Sequence, residues 1–270
     1  MSPAVADGVV YVPADSAVLA LDAATGGERW RAVTSGVPAR QGEDPWTGLV
    51  AVGDGVVFAT SNGHVLRALD AATGAERWRL EANADGWVGD PVVADGAVYV
   101  WSDAGAEERA RAADAPPPSV LRAIDAMTGV ERWSHRGVGG PPTVGAGAVF
   151  LSSDAGDGTG VVALDATTGQ ERWSMTVEGF VGDTPLLAGG VLYFGTFDQG
   201  PLANLGPIGD LLGLGERNYL YALDAATGRQ LWRIETPAYE SAPAVADGTA
   251  FLVTGGGEDH AGTLHAYGEG

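Results

Sequence analysis

Asp90 and Asp183 each close a Val-Gly-Asp triplet, and Glu43, Asp44 and Glu240 stand near equivalent positions of the chain. Carboxylates that converge on one axis hold a hard cation such as Ca²⁺, whereas in a chain this acidic, solvated surface carboxylates are the competing account. Five other aspartates, Asp22, Asp70, Asp125, Asp165 and Asp224, recur with a Thr three residues on and a Gly four residues on. That pattern assigns them to a turn and not to acid-base chemistry, because an Asp carboxylate accepts backbone N–H bonds just ahead of it and Gly takes the left-handed conformation that closes a hairpin. The glycines and aspartates of Asp154 to Gly160 lack the spacing and terminal bidentate Glu of an EF-hand and read as a Gly-rich hairpin. His64 follows Asn62-Gly63, a hairpin-turn signal, and is expected to be exposed. His135, His260 and His265 have no metal-ligand spacing. No phosphate-cradling Gly loop and no nucleophile elbow is present, and with no Cys there is no thiolate nucleophile or disulfide. No residue is assigned a catalytic role.

These side chains need a frame, and composition describes it. The 42 Gly and 15 Pro among 270 residues suit many short strands joined by tight turns. A formal charge of -20 repels phosphate backbones and anionic head groups, which excludes nucleic acid as a partner class. Every basic residue is Arg, as either a GC-rich genome or a salt-loving source would produce. The N-terminus shows no signal peptide, and no apolar run reaches membrane-spanning length, so no membrane insertion is expected.

An internal repeat of about 45 residues organises the chain. Ala20, Asp22, Thr25, Gly26 and Trp30 return as Ala68, Asp70, Thr73, Gly74 and Trp78, then as Ala123, Asp125, Thr128, Gly129 and Trp133. They return again as Ala163, Asp165, Thr168, Gly169 and Trp173, and as Ala222, Asp224, Thr227, Gly228 and Trp232. A second element, an apolar run, usually an Asp-Gly or Gly-Gly turn, and another apolar run, begins at Pro3, Leu49, Pro91, Pro142, Pro185 and Pro243. Each complete repeat therefore holds four short strands, A to D. Strand B, as in Val9 to Val12, is apolar at consecutive positions and should be buried on both faces. Strand D alternates, with Trp30 between Arg29 and Arg31, as an outer strand with one wet face would. Four-stranded sheets repeated with a regular aromatic indicate a radial β-propeller.

The spacing Ala-x-Asp-x-x-Thr-Gly-x-x-x-Trp resembles the tryptophan-docking motif of the pyrroloquinoline-quinone (PQQ)-type propeller repeat, over essentially all 270 residues. The resemblance implies an all-β fold: a β-propeller of four-stranded antiparallel blades, about six repeats with the last incomplete. That last repeat carries strands A and B and begins a strand C at Thr263 to Tyr267, but the Asp turn and Trp do not follow. The expectation is a single propeller domain over 1-270, part of a longer propeller. The family includes quinoprotein dehydrogenases, an outer-membrane protein assembly scaffold and sensor domains, so the motif specifies fold and leaves activity open. The resemblance also implies an extracytoplasmic place, periplasmic or at the cell surface.

If the strands alternate in direction, the A-B and C-D turns share one end of each sheet and the B-C and D-A connections the other. The B-C connections are expanded at Asp103 to Ser119 and Asp198 to Asn218. Long loops on a rigid frame are where binding resides. Leu205, Ile208, Leu211 and Leu212 of the second expansion form an apolar lid or short helix for a partner, unless they pack on their own propeller. Trp46, Trp87 and Phe180 fall in D-A connections, beside Asp90 and Asp183, and either line a binding site or plug the axis. Two readings follow. The first is a non-catalytic, monomeric scaffold that binds protein or peptide through its loop-rich end and holds no cofactor. The alternatives are all or part of a PQQ- and Ca²⁺-dependent dehydrogenase, or a ligand-sensing domain attached to a kinase or membrane anchor. The absence of Cys removes the adjacent-cysteine disulfide that the family's dehydrogenases often place against the quinone.

Overall fold

The computed structural model describes residues 2–34, 47–61, 63–82, 86–103, 119–136, 138–155, 158–177, 179–182, 184–198, 217–236, 243–246, 248–254 and 263–267. The regular structure among them is all strand. The first sheet orders β1 (Ala4–Ala6), β2 (Val9–Ala14), β3 (Ala17–Asp22) and β4 (Glu28–Val33) as an antiparallel meander. The second does the same with β5 (Thr47–Gly53), β6 (Val56–Ser61), β7 (Val65–Asp70) and β8 (Glu76–Glu81). In the third, β9 (Trp87–Val88) and β10 (Val92–Ala94) both pair with β11 (Ala97–Asp103), followed by β12 (Val120–Asp125) and β13 (Glu131–Arg136). The fourth holds β14 (Val138–Gly145), β15 (Ala148–Ala155), β16 (Gly158–Asp165) and β17 (Glu171–Thr176). In the fifth, β18 (Phe180–Val181) and β19 (Leu186–Ala188) pair with β20 (Val191–Asp198), which leads to β21 (Arg217–Asp224) and β22 (Gln230–Thr236). The sixth has three strands among the described residues: β23 (Ala244–Ala246), β24 (Thr249–Thr254) and β25 (Thr263–Tyr267).

The strands cluster into two compact units, Met1–Pro141 with Thr167–Gly169, and Pro142–Ala166 with Gln170–Gly270. In the first unit one core gathers Val9, Tyr11, Val18 and Ala20 against Val57, Ala59 and Leu69, and a second gathers Phe58, Leu66 and Ala68 against Val98, Val100 and Ile124. In the second unit Phe150, Val161 and Ala163 pack on Leu192, Phe194 and Tyr221. β6 is buried at every position, and the outer strands β4, β8 and β17 alternate exposed and half-buried, as strands with two dry faces and one wet face respectively must.

One three-strand ladder recurs in five sheets. Tyr11 pairs with Ala20, and Ala20 with Trp30. The same register joins Phe58, Ala68 and Trp78; Tyr99, Ala123 and Trp133; Phe150, Ala163 and Trp173; and Tyr193, Ala222 and Trp232. Residues directly opposite share a face, so the aromatic ring and the indole lean together over a methyl group. Their centroids lie 5.8 to 6.0 Å apart with tilted planes. A larger residue in place of the fully buried alanine would separate the rings. Just beyond each Ala–Trp pair the register slips by one, a β-bulge whose extra residue is Arg29, Arg77, Arg132, Arg172 or Leu231.

Each indole also reaches the next sheet. Trp30 Nε1 donates to the Ala71 carbonyl at 2.9 Å, Trp78 Nε1 to Ala126 at 3.0 Å, and Trp173 Nε1 to Ala225 at 3.0 Å. The rings lie on turn glycines: a Cβ on Gly74 would come within 2.6 Å of Trp30, on Gly129 within 2.8 Å of Trp78, on Gly169 within 2.6 Å of Trp133, and on Gly228 within 2.6 Å of Trp173. Glycine is required there twice over, because its φ is also positive, as in Gly129 at 73°.

The A-B hairpins close with two left-handed residues, the type I′ geometry that matches strand twist. Asp7, Asp54 and Asp95 take φ of 48°, 51° and 49° ahead of Gly8, Gly55 and Gly96, and Ala146 takes 53° ahead of Gly147. Asp tolerates this region; Ala does not. Ala146→Gly is therefore expected to raise the unfolding free energy by about 0.5 to 1 kcal/mol in urea titration. Trp133→Ala is expected to lower it by ~3 to 5 kcal/mol, since Trp133 is 9% exposed, and a loss under about 1 kcal/mol would contradict the packing described.

Candidate functional site

The two ends of the sheets differ in chemistry. At the turn end, Asp22 Oδ1 accepts Ala24 N–H at 3.1 Å, Thr25 N–H at 2.9 Å and the Thr25 hydroxyl at 2.9 Å. Asp22 Oδ2 takes the Arg29 guanidinium at 2.6 Å. Asp70 with Thr73 and Arg77, and Asp125 with Thr128 and Arg132, repeat this arrangement. Asp165 meets Arg172 at 2.8 Å. Arg132 and Arg172 also donate to the Gly96 and Gly147 carbonyls of the neighbouring A-B turns. The bulge makes this reach possible, by turning the extra residue of the outer strand back towards the turn.

The arginine, then the Thr hydroxyl, hold the Asp22 and Asp125 carboxyls well below the usual carboxylate range, and the same pair brings Asp70 down to about 2. In the fifth repeat Leu231 stands in the arginine position, and the Thr227 hydroxyl bond leads the lowering at Asp224. These carboxylates are engaged in the turn and are poor proton acceptors at neutral pH. The arginine seven residues after four of the five Asp was legible in the sequence as a recurrence, but only the bulge shows what it meets.

At the opposite end of the first unit, Trp87 and Phe58's strand neighbours come together differently from the sequence expectation. Trp87 is not in a connection; it belongs to the short strand β9, with Val88 opposite Ser102 and Val88 N–H donating to the Gly63 carbonyl at 2.6 Å. Strand A is interrupted between β9 and β10 at Gly89, Asp90 and Pro91, where proline has no N–H for the ladder. The Trp87 indole lies on Gly63, where a Cβ would fall 2.2 Å from the ring. His64, expected to be exposed, is half-buried instead: its Nδ1 is 2.6 Å from the Gly86 carbonyl and its ring meets Trp87 edge-on at 6.4 Å. Trp101 lies over Gly89, and Asp90 Oδ1 accepts Leu49 N–H at 3.4 Å. Trp87 nevertheless remains 39% exposed.

In the second unit Phe180 is likewise in a strand, β18, where it pairs with Phe197 at a centroid distance of 5.9 Å. Both rings face solvent, at 50% and 40% exposure. Phe197 was not singled out from sequence, although its place near the end of a strand B, before an expanded connection, was a usable signal. Ser61 and Thr196 occupy the same register position of their strands B, three residues past Phe58 and Tyr193. Both hydroxyls are buried without a hydrogen-bond partner among the described residues. Trp46, Asp183, Leu205, Ile208, Leu211 and Leu212, together with Glu43, Asp44 and Glu240, lie outside the described residues. Among the described residues no three His, Asp or Glu gather as metal ligands. No helix among them is long and apolar enough to cross a membrane.

The family model described as outer membrane protein assembly factor BamB matches residues 14–116, 117–205 and 208–267. The serine/threonine-protein kinase AfsK of Streptomyces coelicolor is 33% identical over 262 residues, covering 95% of this chain and 28% of that protein. The AfsK kinase of Streptomyces griseus is 30% identical over 167 residues, 56% of this chain and 16% of that protein. This chain thus spans less than a third of the length of these relatives. Among solved structures, BamB from Moraxella catarrhalis superposes with a TM-score of 0.63 at 17% identity, over 99% of this chain and 70% of that one. A europium-containing methanol dehydrogenase does so with a TM-score of 0.59 at 17% identity, over 88% and 51%. Likeness at this level establishes the fold as a β-propeller and nothing about activity.

The turn carboxylates make stability depend on acid. Their folded pKa values lie below an unfolded value of about 3.9, so their contribution is complete above that pH and is lost as pH falls towards about 2 at Asp70. Urea midpoints are expected to be level at neutral pH and to drop between about pH 4 and 2, with a smaller drop in Asp70→Asn. Leu231→Arg is expected to raise the midpoint at low salt, an effect that fades in molar salt.

Proposed function

Because this chain belongs to the family of PQQ-type propeller-repeat proteins that the BamB assembly-factor model describes, we propose that it is a non-catalytic binding propeller. Its partner is a protein or peptide, engaged by the end of the sheets opposite the Asp turns. The observation that carries this reading is the exposure of Trp87 in the first unit, and of Phe180 and Phe197 in the second, each at the end of its own sheet away from the Asp turns. Large aromatics held rigidly by strands, with little rotamer entropy left to lose, are the residues that anchor protein interfaces. A charge of -20 steers cationic segments towards such a surface and makes the association salt-dependent.

The likeness to the AfsK kinases favours a second reading, in which the propeller is the recognition part of a larger signalling protein. The 262 residues shared with the Streptomyces coelicolor kinase are the same residues that form the sheets here, so the kinship lies in the propeller. In either reading the chain acts as a monomer, and the assembly-factor kinship favours an extracytoplasmic place.

Selection of a displayed peptide library on the immobilised chain tests both. Selected peptides are expected to be basic, and to bind at least about tenfold more weakly to Trp87→Ala or to Phe180→Ser with Phe197→Ser. The thermal transition should move little, because these side chains are already partly in water. Titration with PQQ and Ca²⁺ is expected to leave the quinone absorbance unchanged. Stoichiometric uptake with dye reduction by alcohols would reverse the conclusion and make the chain part of a dehydrogenase.

A further inference from the structure

The Asp turn of the third sheet carries a sulfur where the other turns do not. Met127 stands two residues after Asp125, at the position held by Ala24, Ala72, Thr167 and Ala226 in the other repeats. Its N–H reaches Asp125 Oδ1 at 3.2 Å, and the residue is 49% exposed. The turn around it belongs to the contact between sheets: Trp78 Nε1 donates to the Ala126 carbonyl, and the Trp78 ring lies on Gly129.

The thioether has a charged neighbour. Arg77, the bulge residue of β8, places Nη2 on Asp70 Oδ2 at 2.6 Å and Nη1 on Met127 Sδ at 3.2 Å. One guanidinium thus joins the turn of the second sheet to the turn of the third, both within the first unit. Its two arms are unequal, because the carboxylate takes a charge-assisted bond while a thioether sulfur is a weak acceptor. A sulfoxide oxygen on the same sulfur is polar and accepts from a guanidinium far better. Met175 has the opposite surroundings: it is half-buried in β17, packed on the core of Phe150, Val161 and Leu192. Oxygen on that sulfur would enter an apolar environment, at the cost of a buried polar group.

We propose that Met127 is an oxidative modification site, at which a hydroperoxide makes the sulfoxide and the new oxygen takes Arg77, so that oxidation tightens the link between the second and third Asp turns. With hydrogen peroxide, the sulfur lone pair attacks one oxygen and the O–O bond breaks as the S–O bond forms. The proton of the transferred oxygen passes to the departing hydroxide, which leaves as water. The sulfur is oxidised by two electrons and the peroxide is reduced. The site lies at the turn end and is independent of the partner reading given above.

The test treats the whole chain with hydrogen peroxide and follows its methionines by peptide mass spectrometry. Met127 should gain oxygen at least about fivefold faster than Met175. In the chain oxidised at Met127, the urea midpoint should rise by at least about 0.1 M, and amide exchange should slow at 125–130. Met127→Leu, treated alongside, should show neither change, which assigns both to this sulfur and not to Met1. In Arg77→Lys, whose ammonium keeps a charge for Asp70 but has no second arm, oxidation should leave the midpoint where it was. A wild-type midpoint that falls or stays level on oxidation, an equal rise in Arg77→Lys, or oxidation of Met175 ahead of Met127 would each overturn the proposal.

Discussion

Everything in this structure depends on one contact: an indole held over an alanine by its own sheet and pressed on a glycine of the next. The alanine is small so that the ring of strand B and the indole of strand D can meet above it. The glycine is bare because a Cβ would enter the indole at well under van der Waals distance. The indole N–H is not wasted in a dry interface, because it meets the carbonyl just after the turn aspartate. Packing and hydrogen bonding thus specify the same neighbour, and repetition of the contact propagates the sheets along the chain.

The same contact explains why the aspartates are committed to the turns. To present its Gly at a fixed height the turn has to be rigid, and the Asp carboxylate makes it so by taking two backbone N–H groups, a Thr hydroxyl and an arginine. The bulge that brings the arginine round follows directly after the Ala–Trp pair. A carboxylate with all its acceptor sites filled is a structural anion. The carboxylates of the turn end are therefore satisfied within the protein.

The other end is under no such constraint. There the strands run on past the core by different lengths, strand A breaks at proline, and aromatics at the break keep part of their surface in water. Repetition supplies the rigidity of the frame, and the end of the sheets away from the Asp turns is where it varies.

By itself the sequence determined the all-β class, the repeat and the role of Asp22, Gly26, Trp30 and their copies, because each depends on local spacing: a turn needs Asp and Gly four residues apart wherever it occurs. Arg29, Arg77, Arg132 and Arg172 recur as plainly, but their meaning depends on a bulge, and a bulge is a property of two paired strands. Strand B was legible as a consecutive apolar run, while the partnership of Tyr11, Phe58 and their equivalents with the tryptophans exists only across three strands. Trp87, Phe180 and His64 show the limit most clearly. A two-residue strand and a histidine drawn towards a carbonyl 22 residues away leave no local periodicity to read. Only tertiary pairing decides them, because it joins residues whose separation along the chain carries no signal.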